Sequence, residues 1–193
     1  MKMDSKCRLE GFLPPGESVT DEARECELPP GVKELSQAVT REARSRGLRI
    51  CCAESCTGGL LAVAITENAG SSDIFTGGVV CYSNESKIRI LKVPERIIER
   101  YGAVSEECAL AMARGARDLF GSDIACSVTG IAGPGGATPG KPVGLVWFGV
   151  VSPTESSAFS RQFQGDRGEV RKMAVASALE ALLRSAGRMG NDR

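Results

Sequence analysis

The chain has 193 residues, of which 42% are apolar, with 24 basic and 24 acidic side chains and no histidine. This size and apolar content suit a single domain that needs no disulfide or metal to form its core. The balanced charge argues against a nucleic-acid or anionic-membrane surface, and the missing histidine excludes Ser-His and Cys-His hydrolases.

The first 30 residues are polar and rich in turn-forming residues, so we predict a loose N-terminal arm there. They contain no apolar segment typical of a signal peptide, and we therefore expect a cytoplasmic protein. Apolar residues recur at helical spacing from Val32 to Ala43, and Gly47 stands where a helix would end. We expect the domain to span residues 31–187, followed by a flexible tail at residues 188–193.

The next segment predicts a strand, a tight turn and a helix. Residues 48–53 form a nearly continuous apolar run, as in a strand that is covered on both faces, and residues 60–66 continue as a helix. Residues 74–82 predict a second strand. Two short helices are predicted at residues 84–91 and 94–101.

The second half of the chain predicts a helix at residues 106–120, a strand at residues 124–128 and a final helix at about residues 167–186. Between the strand and the final helix, residues 143–151 and 158–163 predict an antiparallel hairpin. Strands separated by crossover helices indicate the α/β class, as a three-layer α/β/α sandwich with a mixed, mostly parallel sheet. The site is expected beyond the C-terminal ends of the strands.

A hydroxyl-rich turn, AESCTGG, follows the first predicted strand and places Ser55 just before a helix N-terminus. Helix-start N–H groups near Thr57, Gly58 and Gly59 suit an oxyanion or a phosphate. A simple helix cap explains the same residue types, so the turn alone leaves both interpretations open. Cys56 is a rival nucleophile, because a thiol at a helix N-terminus can have a lowered pKa.

The sequence YSNESK ends the second predicted strand and begins a helix that Ser83 or Asn84 can cap. Lys87 then lies in the first helical turn, where a cation opposes the helix dipole at a cost of roughly 0.3–1 kcal/mol. This position favours a neutral amine, which can act as a general base for Ser55, with Tyr82 nearby to relay a proton. A solvated lysine and a core tyrosine are the alternatives. Asn84 is also a candidate substrate contact.

A glycine-rich loop follows the third predicted strand, where the backbone can approach a ligand closely. It is not a P-loop, because Pro142 replaces the Ser or Thr that would hold magnesium, and it lacks the third glycine of a dinucleotide fingerprint. A flexible turn is the alternative interpretation. The candidate substrate contacts, with the lysine as the phosphate ligand, are Thr129, Gly130, Gly133, Gly135 and Lys141.

Six runs in order, AESCTGG, YSNESK, GAVSEE, TGIAGPGG, KPVG and GDR, resemble the CinA C-terminal domain family over roughly residues 32–186. The resemblance implies a nicotinamide-nucleotide amidase, which converts nicotinamide mononucleotide to nicotinate mononucleotide and ammonia in pyridine-nucleotide recycling. It matches Ser55, Tyr82 and Lys87 to the catalytic Ser, Tyr and Lys of the family. At this length we expect the stand-alone amidase form.

We expect neither a metal nor a cofactor. There is no CxxC pair, and four cysteines lie in apolar strand-like runs typical of buried thiols, namely Cys51, Cys52, Cys81 and Cys126. We expect a small nucleotide substrate, no nucleic-acid or membrane partner, and a homodimer. The competing hypothesis is a non-catalytic nucleotide-binding module, in which Lys87 is a charge partner rather than a base.

Overall fold

The computed structural model describes residues 29–189 and contains a five-stranded mixed sheet. The strands are β1 (Ile50–Glu54), β2 (Phe75–Val80), β3 (Ile124–Gly130), β4 (Leu145–Val151) and β5 (Ser156–Gln162). They are ordered β2-β1-β3-β4-β5 across the sheet. β1 is parallel to both of its neighbours, whereas β4 is antiparallel to both β3 and β5. The predicted mixed sheet and the antiparallel hairpin are confirmed.

Helices flank the sheet in chain positions close to those predicted. They are α1 (Pro30–Ser45), α2 (Leu60–Thr66), α3 (Asn84–Leu91), α4 (Glu95–Tyr101), α5 (Glu106–Phe120) and α6 (Arg167–Arg188), and a 3-10 turn lies at Ser71–Asp73. Local capping explains several starts: the Ser105 side chain accepts a hydrogen bond from the Cys108 N–H before α5. Asp166 and Glu169 form a reciprocal capping box at the start of α6.

The sheet is covered on both faces, as its continuous apolar strands require. Cys52 packs with apolar residues of α1, α2 and α6, while its neighbours Cys51 and Ala53 pack with residues of α5 and the α3–α4 region. Successive strand residues point to opposite faces, so one strand contributes to both cores. The predicted three-layer α/β/α sandwich is confirmed.

Gly115 allows α5 to lie directly against the end of α3. A Cβ atom at this position would collide with the backbone carbonyl of Leu91 in α3. No residue with a side chain fits this close approach without a shift of one helix. The contact fixes α3 relative to the sheet, and α3 carries Lys87.

Most of the predicted arm, residues 1–28, lies outside the described residues, and so does the predicted tail from residue 190 onward. The first described helix begins at Pro30, two residues before the predicted apolar pattern. Within residues 29–189, every helix is too short or too polar to cross a lipid bilayer. The domain boundaries stay predictions.

Candidate active site

The ends of the three parallel strands β1, β2 and β3 meet at one edge of the sheet, where a cavity of about 240 Å³ lies. Ser55 follows β1 directly, Tyr82 follows β2, and β3 ends at Gly130. All three residues line the cavity, together with Lys87 from α3 and Arg167 from α6. The cavity therefore lies beyond the C-terminal strand ends, the position expected for a parallel sheet.

Ser55 and Lys87 are in direct contact inside this cavity. The Lys87 Nζ atom lies 3.0 Å from the Ser55 Oγ atom. The same nitrogen lies 2.8 Å from the Cys81 carbonyl oxygen and 3.2 Å from the Tyr82 carbonyl oxygen. The Ser55 backbone N–H donates to the Val128 carbonyl at 2.9 Å, which fixes the serine to the end of β3.

The environment of Lys87 favours the neutral amine. The side chain is only 1% exposed, and this burial lowers its pKa below the ordinary value of 10.5. Within residues 29–189, no carboxylate lies within salt-bridge distance of its nitrogen. A neutral amine donates its two N–H groups to the carbonyls of Cys81 and Tyr82. Its lone pair is then left to accept the Ser55 hydroxyl hydrogen, which is the arrangement of a general base.

The start of α3 holds Lys87 in this unusual position. Ser83 is the N-cap, and its hydroxyl accepts a hydrogen bond from the Ser86 N–H at 3.0 Å. Lys87 is in the first turn, and its N–H donates to the Ser83 carbonyl at 3.2 Å. Asn84, the other predicted cap and a predicted substrate contact, is exposed and does not line the cavity.

Glu54 organises the turn between β1 and α2. Its carboxylate is 1% exposed and accepts hydrogen bonds from the N–H groups of Gly59, Leu61 and Ala62 at 2.9–3.1 Å. A buried carboxylate at a helix start is stabilised by these donors and by the helix dipole. The glycine N–H is therefore already engaged, which corrects the expectation that it would bind an oxyanion or a phosphate.

Thr57 and Gly58 also lie outside the cavity lining, contrary to the predicted substrate contacts. The Gly58 N–H donates to the Ser55 carbonyl at 3.1 Å, and the Thr57 carbonyl accepts from the Arg171 guanidinium at 2.7 Å. Gly58 has a φ of 61° and Gly59 one of 98°, in the left-handed region that favours glycine. These residues shape the turn that presents Ser55.

Cys56 is buried in the core and lines one wall of the cavity. Burial raises the pKa of its thiol to about 11. A lowered pKa was expected for a reactive thiol at a helix start, so this expectation is wrong. The thiolate is the nucleophilic form, and it is scarce at neutral pH with such a pKa.

Tyr82 lines the cavity, but it is 60% exposed, and its hydroxyl accepts a hydrogen bond from Arg167. The distance from Arg167 Nη2 to the Tyr82 hydroxyl is 3.0 Å, and Arg167 Nη1 donates to the Gly133 carbonyl at 2.9 Å. The expected proton relay through Tyr82 is not needed, because Lys87 contacts Ser55 directly.

The glycine-rich loop after β3 forms a further wall of the cavity. Thr129, Gly130, Gly133 and Gly135 all line it, as predicted for substrate contacts. The Thr129 hydroxyl donates to the Ala103 carbonyl at 2.8 Å, which holds the loop against the segment before α5. Lys141 does not line the cavity, because its ammonium group donates to the Tyr101 carbonyl at the end of α4.

Most of the chain matches the model of one protein family. The model of the CinA C-terminal domain matches residues 32–186. The chain belongs to this family. A "CinA-like protein" of Citrifermentans bemidjiense is 49% identical over 152 residues, which are 79% of this chain and 37% of that protein. A second, from Kosmotoga olearia, is 40% identical and matches 95% of this chain and 45% of that protein. The chain spans less than half the length of these curated relatives.

Solved structures share the architecture of this CinA domain. A CinA superfamily protein from Klebsiella pneumoniae 700603 aligns with a TM-score of 0.79 and 37% identity, covering 81% of this chain and 98% of that one. A competence/damage-inducible protein from Agrobacterium tumefaciens aligns with a TM-score of 0.78 and 38% identity, covering 82% and 97%. These likenesses confirm the family and the fold expected from the sequence.

Two important residues of this CinA domain were missed by sequence reasoning. Glu54 is part of the AESCTGG run, but a single carboxylate before a helix gives no sign of three backbone contacts. Arg167 is part of the GDR run, but only the fold brings the start of α6 to the ends of β1 and β3. In the described part of the chain, no three Cys, Asp or Glu side chains are grouped as metal ligands.

Proposed function

We propose that this chain hydrolyses the carboxamide of nicotinamide mononucleotide to nicotinate mononucleotide and ammonia. The reaction type is supported by one observation above all, the 3.0 Å contact between a buried lysine amine, Lys87, and the hydroxyl of Ser55. The substrate is the one implied by the family resemblance. The names of the relatives say only that they are CinA-like or competence/damage-inducible.

In the first half of the proposed reaction, Ser55 Oγ attacks the carboxamide carbon while the neutral Lys87 amine takes the hydroxyl proton. The carbonyl π electrons move onto oxygen and form a tetrahedral oxyanion. As this intermediate collapses, the carbon–nitrogen bond breaks and Lys87 returns the proton to the leaving nitrogen, which departs as ammonia. The products of this step are an ester on Ser55 and a neutral Lys87.

In the second half, water attacks the ester carbon and Lys87 takes one of its protons. The carbon–oxygen bond to Ser55 then breaks, and Lys87 returns the proton to Ser55 Oγ. The acid product releases its remaining proton to solvent and leaves as the nicotinate carboxylate. A lowered pKa suits Lys87 to both proton transfers, because the amine must be unprotonated at the start of each half.

The oxyanion needs N–H donors other than those of α2, because the Gly59 N–H is bound to Glu54. Gly130 and Ala132, from the end of β3 and the loop after it, also line the cavity. We place the oxyanion donors there, since preorganised backbone N–H groups stabilise such charge in many acyl-transfer sites.

The test is ammonia release from nicotinamide mononucleotide by the purified protein, with a metal chelator present throughout. We expect turnover to be lost in Ser55→Ala and Lys87→Met and kept in Cys56→Ala. Loss confined to Cys56→Ala would move the nucleophile by one residue. If the unmutated protein binds the nucleotide and releases no ammonia, the non-catalytic binding module replaces the amidase proposal.

The curated relatives are more than twice as long as this chain, so activities of those whole proteins are not carried over to it. The homodimer, the cytoplasmic location and the lack of a cofactor stay predictions. They do not bear on the chemistry of Ser55 and Lys87.

A further inference from the structure

Arg167 is the one arginine that lines the cavity within the described residues. The other basic group there, Lys87, is buried and its lowered pKa favours the neutral form. No Asp or Glu side chain among the described residues lines the cavity. Within residues 29–189, the cavity lining therefore contains a guanidinium and no carboxylate to neutralise it.

The guanidinium of Arg167 is held in place and still has donors to spare. Nη1 donates to the Gly133 carbonyl at 2.9 Å, and Nη2 lies 3.0 Å from the Tyr82 hydroxyl. These contacts use two of its five N–H groups, which leaves a donor set that suits the oxygens of a phosphate. The two existing contacts orient the planar group before any ligand binds, which lowers the entropy cost of binding.

The cavity wall beside Arg167 is formed by glycine residues, which present backbone atoms and no side chains. Gly133, Gly135 and Gly136 line the cavity, and a Cβ atom at Gly135 would have no atom within 4 Å. Gly133 contacts the guanidinium directly, and backbone N–H groups in such a loop can contact a phosphate.

The carboxylates near Arg167 do not neutralise it inside the cavity. Asp166 and Glu169 belong to the capping box of α6, where each accepts a backbone N–H at 2.7–2.8 Å. Neither lines the cavity, and neither forms a salt bridge with Arg167 among the described residues. The charge of Arg167 is therefore available to an anionic ligand.

Tyr82 contacts both the base Lys87 and the cation Arg167. Its carbonyl oxygen accepts from Lys87 at 3.2 Å, and its hydroxyl at the far end of the side chain meets Arg167 at 3.0 Å. The base and the cation thus contact opposite ends of one tyrosine residue. A ligand with a carboxamide at one end and an anion at the other matches this pair of groups.

We propose that Arg167 binds the phosphate monoester of the substrate and makes the enzyme select nucleotides over phosphate-free nucleosides. This inference rests on the proposed amidase function. Arg167 takes the place of Lys141, the phosphate ligand predicted from the sequence. Lys141 instead donates a hydrogen bond to the Tyr101 carbonyl. Arg167 contributes to binding of the phosphate, whereas Ser55 and Lys87 carry out the reaction at the amide.

The experiment compares nicotinamide mononucleotide with nicotinamide riboside, which lacks the phosphate, as substrates for Arg167→Met and Arg167→Lys. For Arg167→Met we expect kcat/KM with the nucleotide to fall by at least about tenfold, mainly through KM, because charge-assisted contacts are lost. With the nucleoside we expect less than about a threefold change. Arg167→Lys should fall between the two, since the charge remains and the planar fork does not.

Arg184→Met is the matched control. Arg184 is on the same helix, is about half exposed and pairs with Glu180 at 3.7 Å, far along α6 from the cavity lining. This substitution should leave kcat/KM with both substrates unchanged. Equal losses with nucleotide and nucleoside in Arg167→Met would overturn the inference, because a disturbed Gly133 loop affects the two alike. Unchanged kinetics with both substrates would overturn it as well.

A binding measurement separates failure of this inference from failure of the amidase proposal. If no ammonia is released from either compound, the amidase proposal fails, and calorimetric titration of the two compounds still tests Arg167. We expect Arg167→Met to weaken binding of the nucleotide at least about tenfold and to leave binding of the nucleoside unchanged. Equal weakening of both compounds, or of neither, contradicts the phosphate role.

Discussion

The amine nitrogen of Lys87 lies 3.0 Å from the hydroxyl oxygen of Ser55, although the two residues are 32 positions apart in the sequence. They meet because β1 and β2 are parallel neighbours, so that the residues following each strand share one edge of the sheet. In the proposed mechanism, this contact supplies a base to a serine in a chain that contains no histidine.

Lys87→Met tests whether the amine is the base. Methionine has a similar shape without the titratable nitrogen, so we expect kcat to fall by at least about 10²-fold, the usual scale for losing a general base. The free energy of unfolding at neutral pH should not fall, because a buried amine without a carboxylate partner is replaced by an apolar side chain. Ammonia release and urea unfolding measure the two effects. Retained turnover would exclude Lys87 as the base.

The activity should depend on pH through the Lys87 amine. Because the reaction needs the neutral form, kcat/KM rises with pH and levels off above the lowered pKa of Lys87, at a pH below the ordinary lysine value of 10.5. The measurement is kcat/KM from acidic to strongly alkaline pH, within the range where the protein stays folded. A profile that is flat across this range contradicts Lys87 as the titrating group.

Stability should depend on pH through the same group. The unfolded chain keeps the Lys87 proton up to about pH 10.5, whereas the folded chain loses it at lower pH because its pKa is lowered. Between these two pKa values the unfolded state binds more protons, so the free energy of unfolding rises with pH. Lys87→Met should remove this part of the rise. Identical pH dependence of urea unfolding in the two proteins would contradict the lowered pKa.

Much of the fold was predictable because the local signals agree with each other. The bounds of α2, α3 and α5 match the predicted ones, since glycines, Ser83 and Ser105 mark their ends and apolar spacing marks their buried faces. The predicted strand ends differ from the observed ones by up to two residues, because the sheet register depends on neighbours that are distant in sequence.

The candidate site was only partly predictable. Ser55 and Lys87 follow neighbouring strands, and the glycine loop follows β3, so topology alone brings them together. Lys141 and Arg167 are both basic residues in loop or helix-start positions, and sequence does not show which one turns toward the cavity. Packing decides this: the Lys141 ammonium group is held by the Tyr101 carbonyl, while Arg167 is held at the Gly133 loop.

Glu54→Gln tests the carboxylate that orders the turn bearing Ser55. Glutamine keeps the volume but loses the charge and presents an NH₂ group to backbone donors, so we expect a loss of about 1–3 kcal/mol in the free energy of unfolding. Turnover should also fall as Ser55 shifts. Glu85→Gln is the control, because Glu85 is exposed on α3 and, within residues 29–189, pairs only with Arg89, so its effect should stay within about 0.5 kcal/mol. Equal effects of the two variants would show that the three N–H contacts contribute nothing.

Cys56 should be chemically inert despite its position in the cavity wall. Burial raises the pKa of its thiol to about 11, so little thiolate forms at pH 8 and alkylation by iodoacetamide should be slow. Peptide mass spectrometry after short labelling measures modification at this residue in the native and the urea-unfolded protein. We expect labelling after unfolding and very little before it. Rapid labelling of the folded protein would restore Cys56 as a candidate nucleophile.

Gly115→Ala tests the close contact that sets the position of α3, and therefore of Lys87. The new methyl group would meet the Leu91 carbonyl, so one helix must move, at a cost of about 1–3 kcal/mol in the free energy of unfolding. We also expect kcat to fall, because a small displacement of α3 lengthens the distance from Lys87 to Ser55. Gly31→Ala in α1 is the control, since a Cβ there meets no atom within 4 Å and its stability should change by less than about 1 kcal/mol. If both variants unfold alike in urea and turn over substrate at the same rate, α5 does not hold Lys87 in place through this contact.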